Sequence, residues 1–230
     1  MKTRRTILVE VMATLILASA FWWTIISRHP VTSTVVSPNS IVVIDPGHGG
    51  RDPGAIGITG VWEKQVNLAV SLALSSDLRE RGVTVYLTRA SDQAVNRSGP
   101  YSVKNDLLAR SRFAKQHHAT LFITIHSNIE PTRTMQGPIV YYDTHSAASS
   151  QLAITVSQSI HSLMGYNRPP RPINQLVLEE AEVPAVNIEI GFLSHSRDSA
   201  QLITPSYQRT LAQAIASGLI QYLHQRGYGP

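Results

Sequence analysis

The unbroken β-branched run Ile41-Val42-Val43-Ile44 limits the fold of this chain more than any other stretch. A strand with no polar position has no face to give to water, so both of its faces must be covered. The segment that follows supplies a cover. Val66, Ala69, Val70, Ala73, Leu74 and Leu78 fall on one face of a helix predicted over Glu63 to Arg81, and Gly82 supplies its stop. Val83 to Thr88 then reads as a second strand, completing a βαβ unit with the right-handed crossover that such units take. The alternation continues with a helix over Leu107 to Gln116, a strand over Leu121 to His126 and a short strand over Ile139 to Tyr142. A helix over Gln151 to Met164, a strand over Ala185 to Ile190 and a last helix over Tyr207 to His224, opened by Thr204-Pro205-Ser206, complete the pattern. The predicted fold class is α/β, a largely parallel sheet with helices on both faces, in one domain over residues 41–225.

Ahead of that domain, Lys2, Arg4 and Arg5 precede an apolar run from Thr6 to Ile26 that only Glu10 interrupts. Its length is about that needed to cross a hydrocarbon core, and basic residues on the leading side place everything after Ser27 outside the cytoplasm. Residues 1–27 thus read as a membrane anchor or a signal sequence. Ala18-Ser19-Ala20 offers a cleavage site, but the apolar run continues through Phe21, Trp22, Trp23, Ile25 and Ile26, which favours the anchor. Residues 28–40 show no helical periodicity and read as a linker. Of 20 basic and 15 acidic residues, four basic and one acidic lie in the first 28, so the rest carries a balance of only +2. Charge therefore gives no support for nucleic-acid binding. The absence of cysteine rules out a disulfide framework and a thiolate metal site.

Ligand sites in open α/β sheets gather at the carboxyl ends of strands, and three strand ends here carry metal-competent residues. The first strand runs into Asp45-Pro46-Gly47-His48-Gly49-Gly50, where glycines let the backbone turn and bare the imidazole. The strand from Leu121 ends in His126-Ser127-Asn128. The strand from Ala185 carries Glu189 between Ile188 and Ile190, a costly place for a charge unless a cation or donor compensates it. Glu63 opens the helix after the glycine-rich loop and can turn back over the strand ends. Two histidines and a carboxylate suit zinc with a position left open for water, whose pKa the metal lowers while it polarises the substrate carbonyl. A second carboxylate then takes the proton and passes it to the leaving nitrogen. Spacing alone does not say which glutamate does which job. Blander readings exist: each histidine a turn residue, Glu63 a partner of its helix dipole, Glu189 the partner of an arginine. Asp45 either orients a ligand histidine or bonds the glycine turn.

Five ordered blocks resemble the zinc-dependent N-acetylmuramoyl-L-alanine amidases: residues 41–55, Glu63-Lys64-Gln65-Val66-Asn67-Leu68, Tyr86-Leu87-Thr88-Arg89, residues 122–128, and residues 187–194. The match extends from about Ile41 to Leu223. The resemblance implies a twisted mixed sheet between helical layers, a zinc cofactor held by His48, Glu63 and His126, and Glu189 as the catalytic acid/base. It implies hydrolysis of the amide between N-acetylmuramic acid and L-alanine, with peptidoglycan as partner on the wall side of the membrane. No residue pattern names an activating protein. The anchored, compact layout, with Pro100-Tyr101-Ser102 before Asn105 to Arg110, looks like the CwlD kind of sporulation amidase, which by resemblance acts in spore cortex. His195 stands where the family usually has asparagine, in a place suited to local loop bonding. His117, His118, His145, His161 and His224 match no ligand block and read as surface residues. The rival readings are a zinc peptidase acting within the stem peptide and a non-enzymatic wall-binding module on the same fold.

Overall fold

The computed structural model describes residues 40–98 and 100–228. The expected anchor or signal over 1–27 and nearly all of the linker lie outside the described residues. Six strands form one sheet: β1 (Ile41–Pro46), β2 (Thr84–Leu87), β3 (Leu121–Asn128), β4 (Ile139–Asp143), β5 (Arg171–Ile173) and β6 (Ala185–Phe192), in the order β2-β1-β3-β6-β4-β5. β1 pairs parallel with β2 and β3, and β3 parallel with β6. β4 runs antiparallel to β6 and carries β5 parallel at the edge, which makes the sheet mixed.

Val42, Val43 and Ile44 are fully buried, as a strand with two covered faces requires. Successive side chains point to opposite faces, and the core divides accordingly. Val42 and Ile44 pack into the larger layer under α1 (Glu63–Glu80), α3 (Ala147–Met164) and α6 (Pro205–Gln225). Val43 and Phe122 pack into a smaller layer with Ala114 of α2 (Val103–Gln116) and with Val177 and Leu178 of α4 (Leu176–Glu179). A short helix, α5 (Ser196–Leu202), follows β6 after three residues.

Where the predicted and observed elements differ, caps explain the helices. α2 begins four residues before the predicted start because Ser102 accepts the Asn105 N–H. α3 begins at Ala147 because Ser146 accepts the Ser149 N–H. An N-cap serine satisfies donors one turn ahead of the first buried apolar residue, so apolar periodicity begins late. β5, α4 and α5 were not predicted; each has seven residues or fewer, too short for a repeat.

Candidate functional site

The carboxyl ends of β1, β3 and β6 lie side by side, and His126 is the register partner of Glu189 across the β3–β6 pair. His48 follows β1 with φ 60°, the left-handed region that non-glycine side chains adopt under strain. Two buried guanidiniums hold that loop. Arg110 of α2 donates to the carbonyls of Pro46 and His48, each at 2.9 Å. Arg89 donates to the carbonyls of Pro46, Gly47 and Lys64 at 2.8–2.9 Å. Asp45 and Asp106 balance the charge of Arg110 at 2.8 and 2.7 Å. Burial and the neighbouring Arg110 charge push the Arg89 pKa down to about 10, which still leaves it a cation at neutral pH.

Asp45 takes neither of its two expected roles. Its oxygens accept from Thr88, Thr124 and Arg110, so it ties the sheet to α2. The residue that orients a histidine is Asp52, which the sequence reading missed: its Oδ2 lies 2.8 Å from His48 Nδ1, while Gly54 N–H donates to Oδ1. A carboxylate on Nδ1 leaves Nε2 as the free nitrogen. The i, i+4 spacing of His48 and Asp52 was visible in the sequence, but without a helix it signified nothing until the left-handed turn brought the two together.

His48, Glu63 and His126 offer ligand atoms that all lie within 4.8 Å of one another. Glu63 Oε1 is 3.1 Å from His48 Nε2 and 3.1 Å from His126 Nδ1. Glu63 sits at the first position of α1, and Oε1 also accepts from Asn67 Nδ2 and Ser127 N–H, while Oε2 accepts from Ala55 N–H. Burial opposes its charge, but the bonds and charges of His126 and His48 outweigh that and hold its pKa far below the usual carboxylate range. Two glycines make the approach possible. A Cβ on Gly47 would overlap the His126 ring, and one on Gly54, whose φ is 67°, would press on Glu63 and His48.

Glu189 faces the same point in the opposite electrostatic condition. Its Oε2 is buried with no hydrogen-bond partner among the described residues, and Asn187 reaches Oε1 only at 3.4 Å. Burial raises its pKa; the charge of Glu63 adds to the rise, while His126, Asn187 and His48 only partly offset it. The expected arginine partner of the blander reading is absent among the described residues. A two-nitrogen, one-carboxylate set beside an unsatisfied buried carboxylate oxygen fits zinc, which takes these donors and keeps a position open.

Among the described residues, the remaining histidines are not part of this cluster. His118, His145 and His161 are exposed as expected, whereas His117 and His224 are half-buried. His117 stacks on Phe113 with ring centroids 4.0 Å apart. His195 occupies the N-cap position of α5, where its backbone, not its side chain, makes the local bonds to Phe192 and Ser199.

Fold and donor set together define an α/β protein with a candidate metal site at its strand ends. The chain belongs to the N-acetylmuramoyl-L-alanine amidase family (Amidase_3), which residues 42–221 match. It is 32% identical over 196 residues to the germination-specific N-acetylmuramoyl-L-alanine amidase of Bacillus subtilis, covering 83% of this chain and 82% of that protein. It is 34% identical over 182 residues to the sporulation-specific amidase of the same organism, covering 78% of this chain and 67% of that one. Among solved structures, the CwlD amidase of Clostridioides difficile in complex with the GerS lipoprotein aligns with a TM-score of 0.76 at 28% identity. That alignment covers 81% of this chain and 100% of the other.

Proposed function

We propose that this chain is a zinc-dependent enzyme that hydrolyses the amide between N-acetylmuramic acid and the L-alanine of the stem peptide. His48 Nε2, Glu63 and His126 Nδ1 would hold the metal and Glu189 would be the acid/base. The observation that carries the reading is the convergence of three ligand atoms within 4.8 Å beside the unpartnered Glu189 Oε2. When bound, zinc supplies Lewis acidity that acidifies water and polarises a carbonyl. The environments of the two glutamates support this division of work. Glu63, with its lowered pKa, stays anionic and suits a ligand. Glu189, with its raised pKa, suits a group that takes a proton from the attacking water and returns it to the alanine nitrogen.

Two substitutions test the assignment. Glu189→Gln keeps shape but cannot cycle a proton, so turnover of purified peptidoglycan should fall about 10²-fold or more while zinc content stays full. His126→Ala should lose zinc; full occupancy would remove His126 from the site. Mass spectrometry of the digest checks the bond cut: a new L-alanine amino terminus fits the amidase, and an internal stem residue fits a peptidase.

The catalytic domain would work on the wall side of the cytoplasmic membrane, held there by residues 1–27, with residues 28–40 as tether. The basic flank and the apolar run past Ala18-Ser19-Ala20 support this. Among the described residues no helix is long and apolar enough to cross a membrane. Fractionation of cells expressing a carboxyl-terminally tagged chain, with sequencing of its amino terminus, is the test; a soluble product beginning at Phe21 would refute the anchor. Likeness to germination- and sporulation-specific relatives supports a role in spore cortex.

A further inference from the structure

A cavity of about 90 Å³ opens beside the two site histidines, whose ring centroids are 4.9 Å apart. His48 and His126 line it together with Val103 and Leu107 of α2 and Val177 of α4. A single water needs roughly 10–15 Å³ of such space, so the cavity has ample room for a methyl group.

Polar residues also line it, but most of their hydrogen bonds are already made within the protein. Arg110 commits all five N–H donors, to Asp45, Asp106 and the carbonyls of Pro46 and His48. Both oxygens of Asp45 and both of Asp106 accept bonds, and the Thr124 hydroxyl donates to Asp45. Asp52 is bonded on one oxygen to His48 and on the other to Gly54. A polar group entering this space would exchange water for walls with little left to offer, at a cost. An apolar group loses nothing and gains contact with Val103, Leu107 and Val177.

We propose that this cavity is a subsite for a methyl group adjoining the scissile amide, making Val103, Leu107 and Val177 specificity-determining residues. The inference rests on the amidase reading above. Two methyl groups flank that bond, one on the lactyl arm of the sugar and one on the alanine, and the chemistry of the cavity accepts either.

Three synthetic muramoyl peptides separate the sources: the parent, one with a glycolyl arm in place of lactyl, and one with glycine in place of alanine. With the zinc-loaded protein, loss of the methyl that enters the cavity should lower kcat/KM by about 10-fold or more, as for a methylene in an apolar pocket. Loss of the other should not. In Val103→Phe the larger side chain fills the space from an exposed rim position, so the parent and the affected analogue should approach equal kcat/KM. That ratio is insensitive to a general loss of stability or of active protein. Equal rates for all three substrates with the unsubstituted protein would overturn the subsite and leave the amidase reading standing. Cleavage of none of them would overturn both.

Discussion

At the scale of single residues, the histidine loop shows how a strained backbone is kept useful. His48 sits at φ 60° and is held on three sides: its carbonyl by Arg110, its Nδ1 by Asp52, and its Nε2 beside Glu63. Asp52 is the least structural of these supports, because its side chain is partly exposed and its removal leaves no buried charge. Asp52→Ala should therefore weaken zinc binding by about 10–100-fold, the usual cost of losing a carboxylate behind a ligand histidine, with little change in melting temperature. Chelator competition measures the first and thermal unfolding the second. An unchanged zinc affinity would leave Asp52 as a loop residue only.

At the scale of elements, α2 and α3 begin where a serine side chain closes the first turn. Ser146 caps α3 by accepting the Ser149 N–H at 3.1 Å. This helix packs against α6, where Ser159 Oγ donates to the Ala214 carbonyl at 2.7 Å, and it contributes no proposed site residue. Ser146→Ala should cost about 1 kcal/mol of stability, a fall of roughly 2–4 °C in Tm for a domain of this size. Turnover at 25 °C should be unaffected. A matching loss of activity in folded protein would mean that α3 communicates with the strand ends.

Across the whole molecule, the Asp45–Arg110–Asp106 cluster joins β1 to α2 and links overall stability to pH. Burial alone would raise the Asp45 pKa, but Arg110 and the hydroxyls of Thr88 and Thr124 outweigh it and hold the group below its ordinary value. A carboxylate depressed on folding stabilises fully above its unfolded pKa of about 3.9, and that contribution fades as pH falls through the folded pKa. The native domain should thus lose stability on acidification below about pH 4. Arg110→Met removes the partner and strands a buried charge, costing about 3–5 kcal/mol near neutral pH. With burial then dominant, the Asp45 pKa should lie above its unfolded value, so the variant should gain stability as pH falls from 7 towards 4. Denaturant unfolding across that range reads the sign of the slope. A variant with the native slope would show that Asp45 does not depend on Arg110.

The α/β class, the order of the main strands and helices, and the candidacy of His48, Glu63, His126 and Glu189 could all be read from the chain. Each rests on a local pattern: an apolar repeat, a glycine turn, a polar residue set at the end of an apolar strand. Local pattern also explains the omissions, since β5, α4 and α5 are too short to show a repeat. The antiparallel run of β4 was likewise decided only in three dimensions, because strand direction depends on which neighbour is hydrogen-bonded. The roles of the two glutamates were open to spacing alone. Their surroundings differ in desolvation and neighbouring charge, which supports the proposed division: Glu63 has two imidazoles and three N–H donors around it, and Glu189 has one buried oxygen with no partner among the described residues. The orienting role of Asp52 and the clamp by Arg89 and Arg110 belong to the same class. They join residues 4 to 65 positions apart by single bonds, and no periodicity along a chain encodes which distant donor will meet which acceptor.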